Sequence, residues 1–173
     1  MTKFTSAYAS KVLRKLNEDK IFWTEKERTS YFYTAAADEE PVIPDYDYTS
    51  VAATIAEIDE KMCKIKHAIN VTNATVEIAV ENGKPKMTID TILVKMAQLN
   101  KRKAVLDLMR KQQPKTRIHM SSYSARKAVP EYQYINYDLE LIKAEYERID
   151  SEIAAMQIAL DKHNQTYEFE VDL

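Results

Sequence analysis

The chain has 173 residues with one glycine, five prolines and one cysteine; 45% of it is hydrophobic and 30% charged. A single glycine rules out GxGxxG and GxxxxGK phosphate loops and argues against glycine-hungry sandwiches and doubly wound sheets, so a soluble, mostly helical single domain is expected over 1–173. The net charge is only −2, yet residues 84–127 carry twelve Lys or Arg against Asp90 and Asp107, a local +10 that the remainder balances with −12. Such asymmetry implies either an anionic partner or pairing between basic and acidic helices.

In chain order, Phe4, Tyr8, Val12 and Leu16 step by four, and Ile21, Trp23 and Tyr31-Phe32-Tyr33 follow, which predicts an amphipathic first helix over 4–37. Pro41 and Pro44 break it and predict an extended linker over 38–48. Thr49 or Ser50 is an N-cap candidate for a helix over 49–69, whose Val51, Ile55, Ile58, Met62, Ile65 and Ile69 form a heptad seam. Asn70-Val71-Thr72-Asn73 is expected to stop it, because these side chains compete for backbone hydrogen bonds.

The period then changes. Thr75 to Val80 alternates, and Asn82-Gly83 supplies a tight turn, so 74–88 reads as a β-hairpin. Thr88 caps a third helix over 89–112 with Ile89, Ile92, Leu93, Met96, Leu99, Leu106 and Met109 on its apolar face; Pro114 ends it. Residues 115–135 read as a basic loop with short strands at Arg117–Met120 and Tyr132–Ile135. A fourth helix over 137–163 starts near Asn136 or Asp138 and repeats the seam with Ile142, Tyr146, Ile149, Ile153, Met156 and Leu160. The tail, 166–173, alternates strictly from Tyr167 and suits an edge strand. The expected architecture is a mainly all-α, antiparallel coiled-coil bundle with a β-hairpin insertion. Two uninterrupted seams expose more apolar stripe than one helical hairpin covers, so a homo-oligomer is expected.

Chemistry is sparse. His67, His119 and His163 are far apart, and Cys63 with His67 makes only two ligands, so no metal site and no cofactor are expected. No serine sits in a nucleophile elbow, Cys63 lies in a helix beside the seam where thiols are inert, and Asp59-Glu60 or Asp150 with Glu152 read as solvated helix faces. An enzyme is therefore not expected. The N-terminus lacks an apolar h-region and no run is long enough to span a bilayer, so a cytoplasmic protein without membrane contact is expected.

Anion binding is the chemistry that remains. Lys115, Arg117, Arg126 and Lys127 surround a polar loop with Tyr123, and Tyr132 and Tyr134 follow. Arginine forks grip phosphates, and tyrosine faces stack on bases. Asn70, Thr72 and Asn73 are expected at the same end of the bundle, where they offer donors and acceptors to a ribose or base edge. The plainer reading is a solvated basic loop that pairs with acidic helices. Lys101-Arg102-Lys103 and Arg110-Lys111 on the 89–112 helix offer nucleic-acid binding as a further alternative.

Three stretches, Ala68-Ile69-Asn70-Val71-Thr72-Asn73, Asn136-Tyr137-Asp138 and Met156 to Asn164, together resemble the septicolysin-like family of small bacterial and phage proteins. The resemblance runs from about residue 46 to the end and implies a helical coiled coil with a hairpin insertion, with no catalytic residue carried over. Many members end the last helix with Asn-Trp where this chain has Asn164-Gln165. The expected function is capture of a small nucleotide-like anion without turnover, as in a phage-type anti-defence protein that sequesters a nucleotide immune signal, or in a cellular nucleotide sensor. The alternative is a ligand-free coiled-coil scaffold.

Overall fold

The computed structural model describes residues 2–81, 85–118 and 129–173. Among them the chain is mostly helical, with four α-helices and six short strands. The chain divides into two compact units, Met1–Ile78 with Leu160–Leu173, and Ala79–Ala159.

The first unit opens with a strand. Residues Thr2–Thr5 form β1 and pair antiparallel with β6, Glu168–Val171, so that Phe4 faces Phe169. Sequence periodicity assigned Phe4 to the first helix, because an i, i+4 step cannot tell a helix start from the end of a strand. The helix α1, Ser6–Ser30, begins one residue after Thr5, whose extended backbone and side-chain oxygen cap the Tyr8 N–H at 3.2 Å. It ends before the predicted residue 37. Thr29 turns its hydroxyl onto the Glu25 carbonyl at 2.9 Å, and the aromatic run Tyr31-Phe32-Tyr33 follows, residues that lose rotamer freedom in a helix.

The second helix, α2, spans Tyr48–Thr75. Its N-cap is Asp47, which accepts the Ser50 N–H at 2.8 Å, and not Thr49 or Ser50. Nor does it stop at Asn70. Thr72 and Thr75 bond back to the carbonyls of Ala68 and Val71 at 2.9 and 2.8 Å, so their hydroxyls are satisfied without breaking the ladder. The α2 seam is buried at Val51, Ile58, Ile65 and Thr72. Ile65 lies in a core with Phe4, Ala9, Phe169 and Val171, against which Val12, Leu13, Leu16, Ala68 and Ile69 pack.

β2, Glu77–Ile78, and β3, Met87–Thr88, fall where the alternation predicts hairpin strands; the Asn82-Gly83 turn lies outside the described residues. The third helix, α3, spans Ile89–Arg110, with Thr88 capping the Thr91 N–H at 3.2 Å as the sequence predicts. β4, Lys115–Arg117, and β5, Tyr132–Tyr134, pair antiparallel. The fourth helix, α4, spans Leu139–Thr166; Asp138 accepts the Glu140 and Leu141 N–H groups at 2.9 and 3.3 Å. Within the second unit Leu106, Ile142 and Ile149 make a core with Leu99, Met109, Tyr137, Tyr146 and Ile153 around it. The seam residues Ile142, Ile149, Met156 and Leu160 are all buried in the single chain. The intervening seam positions Ile55, Met62 and Ile69 on α2 and Tyr146 and Ile153 on α4 are half-buried.

His163, in the last turn of α4, is buried and stacks on Tyr167 with ring centroids 4.7 Å apart. Its Nε2 has no hydrogen-bond partner among the described residues, and burial holds its pKa below the ordinary imidazole value. The folded state thus favours the neutral ring, whereas the unfolded chain takes up a proton near pH ~6.5. The stabilisation is complete above that value and is lost as the pH falls below it.

Two outcomes follow from this packing. Ile65→Ala should lower unfolding stability by about 2–5 kcal/mol in chemical denaturation, since it empties a fully buried site; a loss under about 1 kcal/mol would contradict the core assignment. In thermal melts between about pH 7.5 and 5.5, Tm should fall with pH, and His163→Phe should blunt that fall; an identical pH slope in the variant would count against His163 as its source.

Candidate functional site

The β4–β5 hairpin is built by the break at Pro114. Gln112 N–H still bonds the Met109 carbonyl at 3.1 Å, after which the Ile135 N–H reaches the Pro114 carbonyl at 3.3 Å and opens the ladder. The ladder closes with Ile118 N–H to Glu131 carbonyl at 3.0 Å. The register places Lys115 opposite Tyr134, Thr116 opposite Gln133 and Arg117 opposite Tyr132. Residues directly opposite share a face, and alternate residues return to it. Both cations and both tyrosines therefore stand on one face, and Thr116 with Gln133 on the other.

The contacts agree with the register. The Lys115 ammonium lies 4.0 Å from the Tyr132 ring centroid and 5.5 Å from that of Tyr134. The two rings are 6.5 Å apart and tilted by 53°. Every residue of both strands is exposed. Among the described residues no carboxylate forms an ion pair with Lys115 or Arg117. The opposite face borders a cavity of about 180 Å³ lined by Gln112, Gln113, Thr116, Gln133 and Tyr137 among others.

The other basic residues of this unit are differently placed. Lys95 meets Glu152 at 2.6 Å, and Lys103 meets Asp150. Arg110 and Lys111 share Asp107 at 2.7 and 2.5 Å. The Arg110 guanidinium also lies 4.0 Å over the Tyr146 ring, with the Lys103 ammonium 5.4 Å from the same ring. The titration behaviour follows: Lys95 and Arg148 hold Glu152 below the usual carboxylate range, Lys111 and Arg110 do the same to Asp107, and the Asp150 carboxylate raises Lys103. Basic–acidic pairing between α3 and α4, the plainer of the two readings of the charge asymmetry, engages Lys95 and Lys103, whereas Arg110 and Lys111 pair locally at the end of α3.

The remaining sequence candidates divide. Asn70, Thr72 and Asn73 belong to the first unit, whereas Lys115, Arg117, Tyr132 and Tyr134 belong to the second. Thr72 is buried with its hydroxyl committed to Ala68; Asn70 is exposed and Asn73 half-buried, both inside α2. The three do not form a loop edge at a helix end, because α2 runs past them. Tyr123, Arg126 and Lys127 lie outside the described residues.

Sequence reading missed a groove of about 510 Å³ between α1 and α2, lined by Asn17, Lys20, Ile21, Asp59, Met62, Cys63 and neighbours. Lys20 grips both Asp59 oxygens at 2.6 and 2.8 Å. These residues are 39 positions apart, so no local spacing announces the pair. Cys63, expected to be packed beside the seam, is exposed here. The two central charges neutralise one another, so the groove offers little field to an ion. No helix of the described residues is long and apolar enough to cross a membrane.

No protein-family model matches the sequence, and no curated protein matches it. Among solved structures the chain is similar to a functionally unknown conserved protein from Corynebacterium diphtheriae, with a TM-score of 0.59 and 13% identity, covering 98% of this chain and 100% of that one. At that identity the likeness speaks to the fold alone.

Proposed function

We propose that the protein is a non-enzymatic binding protein that captures a small phosphorylated, nucleotide-like anion on the β4–β5 face. The observation that carries this reading is the shared face of Lys115, Arg117, Tyr132 and Tyr134, two cations and two aromatic rings in register and open to solvent. Charge-assisted donors suit phosphate oxygens, and Arg117 supplies a planar fork for bidentate contact. An exposed tyrosine offers a stacking surface to any nucleobase at little cost in selectivity. A phage-type protein that sequesters a nucleotide immune signal and a cellular nucleotide sensor would both use such a face. For nucleic-acid binding through 89–112 the support is divided: Lys103, Arg110 and Lys111 are engaged with carboxylates, whereas Lys101 and Arg102 are exposed. A scaffold role draws on the buried seams of α2 and α4 and needs no ligand.

A thermal-shift screen against nucleoside mono-, di- and triphosphates and cyclic nucleotides should find a stabilising ligand, because binding confined to the folded state raises stability. Arg117→Ala should then weaken binding about ten- to a hundredfold in titration calorimetry, the equivalent of about 1.5–3 kcal/mol, and leave the helical circular-dichroism signal unchanged. Arg117→Lys should rescue poorly, because an ammonium has no bidentate fork. Equal heats for the wild type and both variants would remove the hairpin from the account.

A further inference from the structure

Residues 29–60 contain eight Asp or Glu and neither Lys nor Arg. Residues 31–47 connect α1 to α2 as an irregular strap with one turn, closed by Glu39 N–H to Ala36 carbonyl at 3.2 Å. Pro41 and Pro44 fix φ and remove two backbone donors, which keeps the strap out of helix and limits its pairing as a strand. It is nonetheless anchored: the Tyr46 hydroxyl donates to Glu27 Oε1 at 3.1 Å, and Asp47 caps α2. Along it Phe32 is 59% and Val42 90% exposed, and Tyr31 and Ile43 are as open. Asp38, Glu39, Glu40 and Asp45 form no ion pair among the described residues. An apolar surface studded with unpaired carboxylates is matched by a surface of opposite charge that carries its own apolar rings.

The chain presents one. The β4–β5 face is basic, aromatic and exposed, and the imbalance extends to the units: eleven Lys or Arg against seventeen Asp or Glu in the first, fourteen against ten in the second. We propose that the acidic aromatic strap of one copy docks on the Lys115–Arg117 and Tyr132–Tyr134 face of a second copy. The contact is heterologous: it closes into a dimer when two copies exchange it reciprocally and otherwise extends head to tail. It uses the face assigned above to the anion but does not depend on nucleotide binding, since the cations and rings suffice.

Sedimentation velocity of the full chain tests it through two charge reversals, Glu39→Lys with Glu40→Lys on the strap and Lys115→Glu with Arg117→Glu on the hairpin. The wild type should self-associate at about 50 mM salt and dissociate at about 500 mM, where screening is far stronger. Each reversed protein, checked for folding by circular dichroism, should associate at least about tenfold more weakly. An equimolar mixture of the two should re-associate, because each then meets an opposite charge on its partner at both contacts. A wild type that stays monomeric at low salt overturns the proposal. Association that persists in either variant, or a mixture of folded variants that stays monomeric, overturns it as well. The strap-reversed protein keeps the hairpin intact, so its nucleotide-induced thermal shift reports on the anion site separately from self-association.

Discussion

Ile65 carries the first unit. It sits on the buried side of α2 with no surface open to water, and around it meet Phe4 and Ala9 from the start of the chain and Phe169 and Val171 from its end. Two four-residue strands have little stability by themselves. β1 and β6 persist because both feed this one cluster, β1 through Phe4 and β6 through Phe169 and Val171. Alternation is legible in the burial pattern of β6, where Phe169 and Val171 are buried and Glu168 and Glu170 exposed. The termini are thus part of the core of this unit, and α1 takes its starting point from the strand that precedes it.

The second constraint is electrostatic. A chain with 25 basic and 27 acidic residues has charge enough to pair throughout, yet its ordering along the sequence is uneven. Part of the excess is absorbed between α3 and α4, by Lys95 with Glu152 and Lys103 with Asp150, and part at the end of α3, where Arg110 and Lys111 share Asp107. These pairs are partly exposed and each contributes modestly to stability. Their larger consequence is subtraction: they occupy cations that a phosphate backbone would otherwise meet. Among the described residues, Lys115 and Arg117 on the β4–β5 face and Asp38, Glu39, Glu40 and Asp45 on the 31–47 strap form no ion pair, and in both places the charges lie beside exposed aromatic or apolar side chains.

Much of the helical architecture is readable from period and capping alone. Of the seam positions, Val51, Ile58, Ile65, Ile142, Ile149, Met156 and Leu160 are buried and the others half-buried; Thr88 caps α3, and Asp138 starts α4. The strand pair around the basic loop also forms, with β4 shifted to begin at Lys115. What was not readable depends on partners distant in sequence. Phe4 satisfies a helical period and a strand pairing equally, and only Phe169, 165 residues away, decides between them. Asn70 to Asn73 look like a stop, but Thr72 and Thr75 spend their hydroxyls inside the helix. The face shared by Lys115, Arg117, Tyr132 and Tyr134 was named residue by residue, although its geometry needs the register. Asn70, Thr72 and Asn73 were assigned to the same end by assuming alternating helices, an inference that period cannot supply.

The central claim is that Lys115 and Arg117 are the cations open to an anion, while Lys95 and Lys103 are committed to carboxylates. Side-chain NMR of isotope-labelled protein during a titration with inorganic diphosphate reads each of these groups separately. The account predicts that the Arg117 guanidinium, the Lys115 ammonium and the ring protons of Tyr132 and Tyr134 shift first and together, with Lys95 and Lys103 nearly silent. Shifts that begin at Lys95 and Lys103, or that spread evenly along α3, would contradict it.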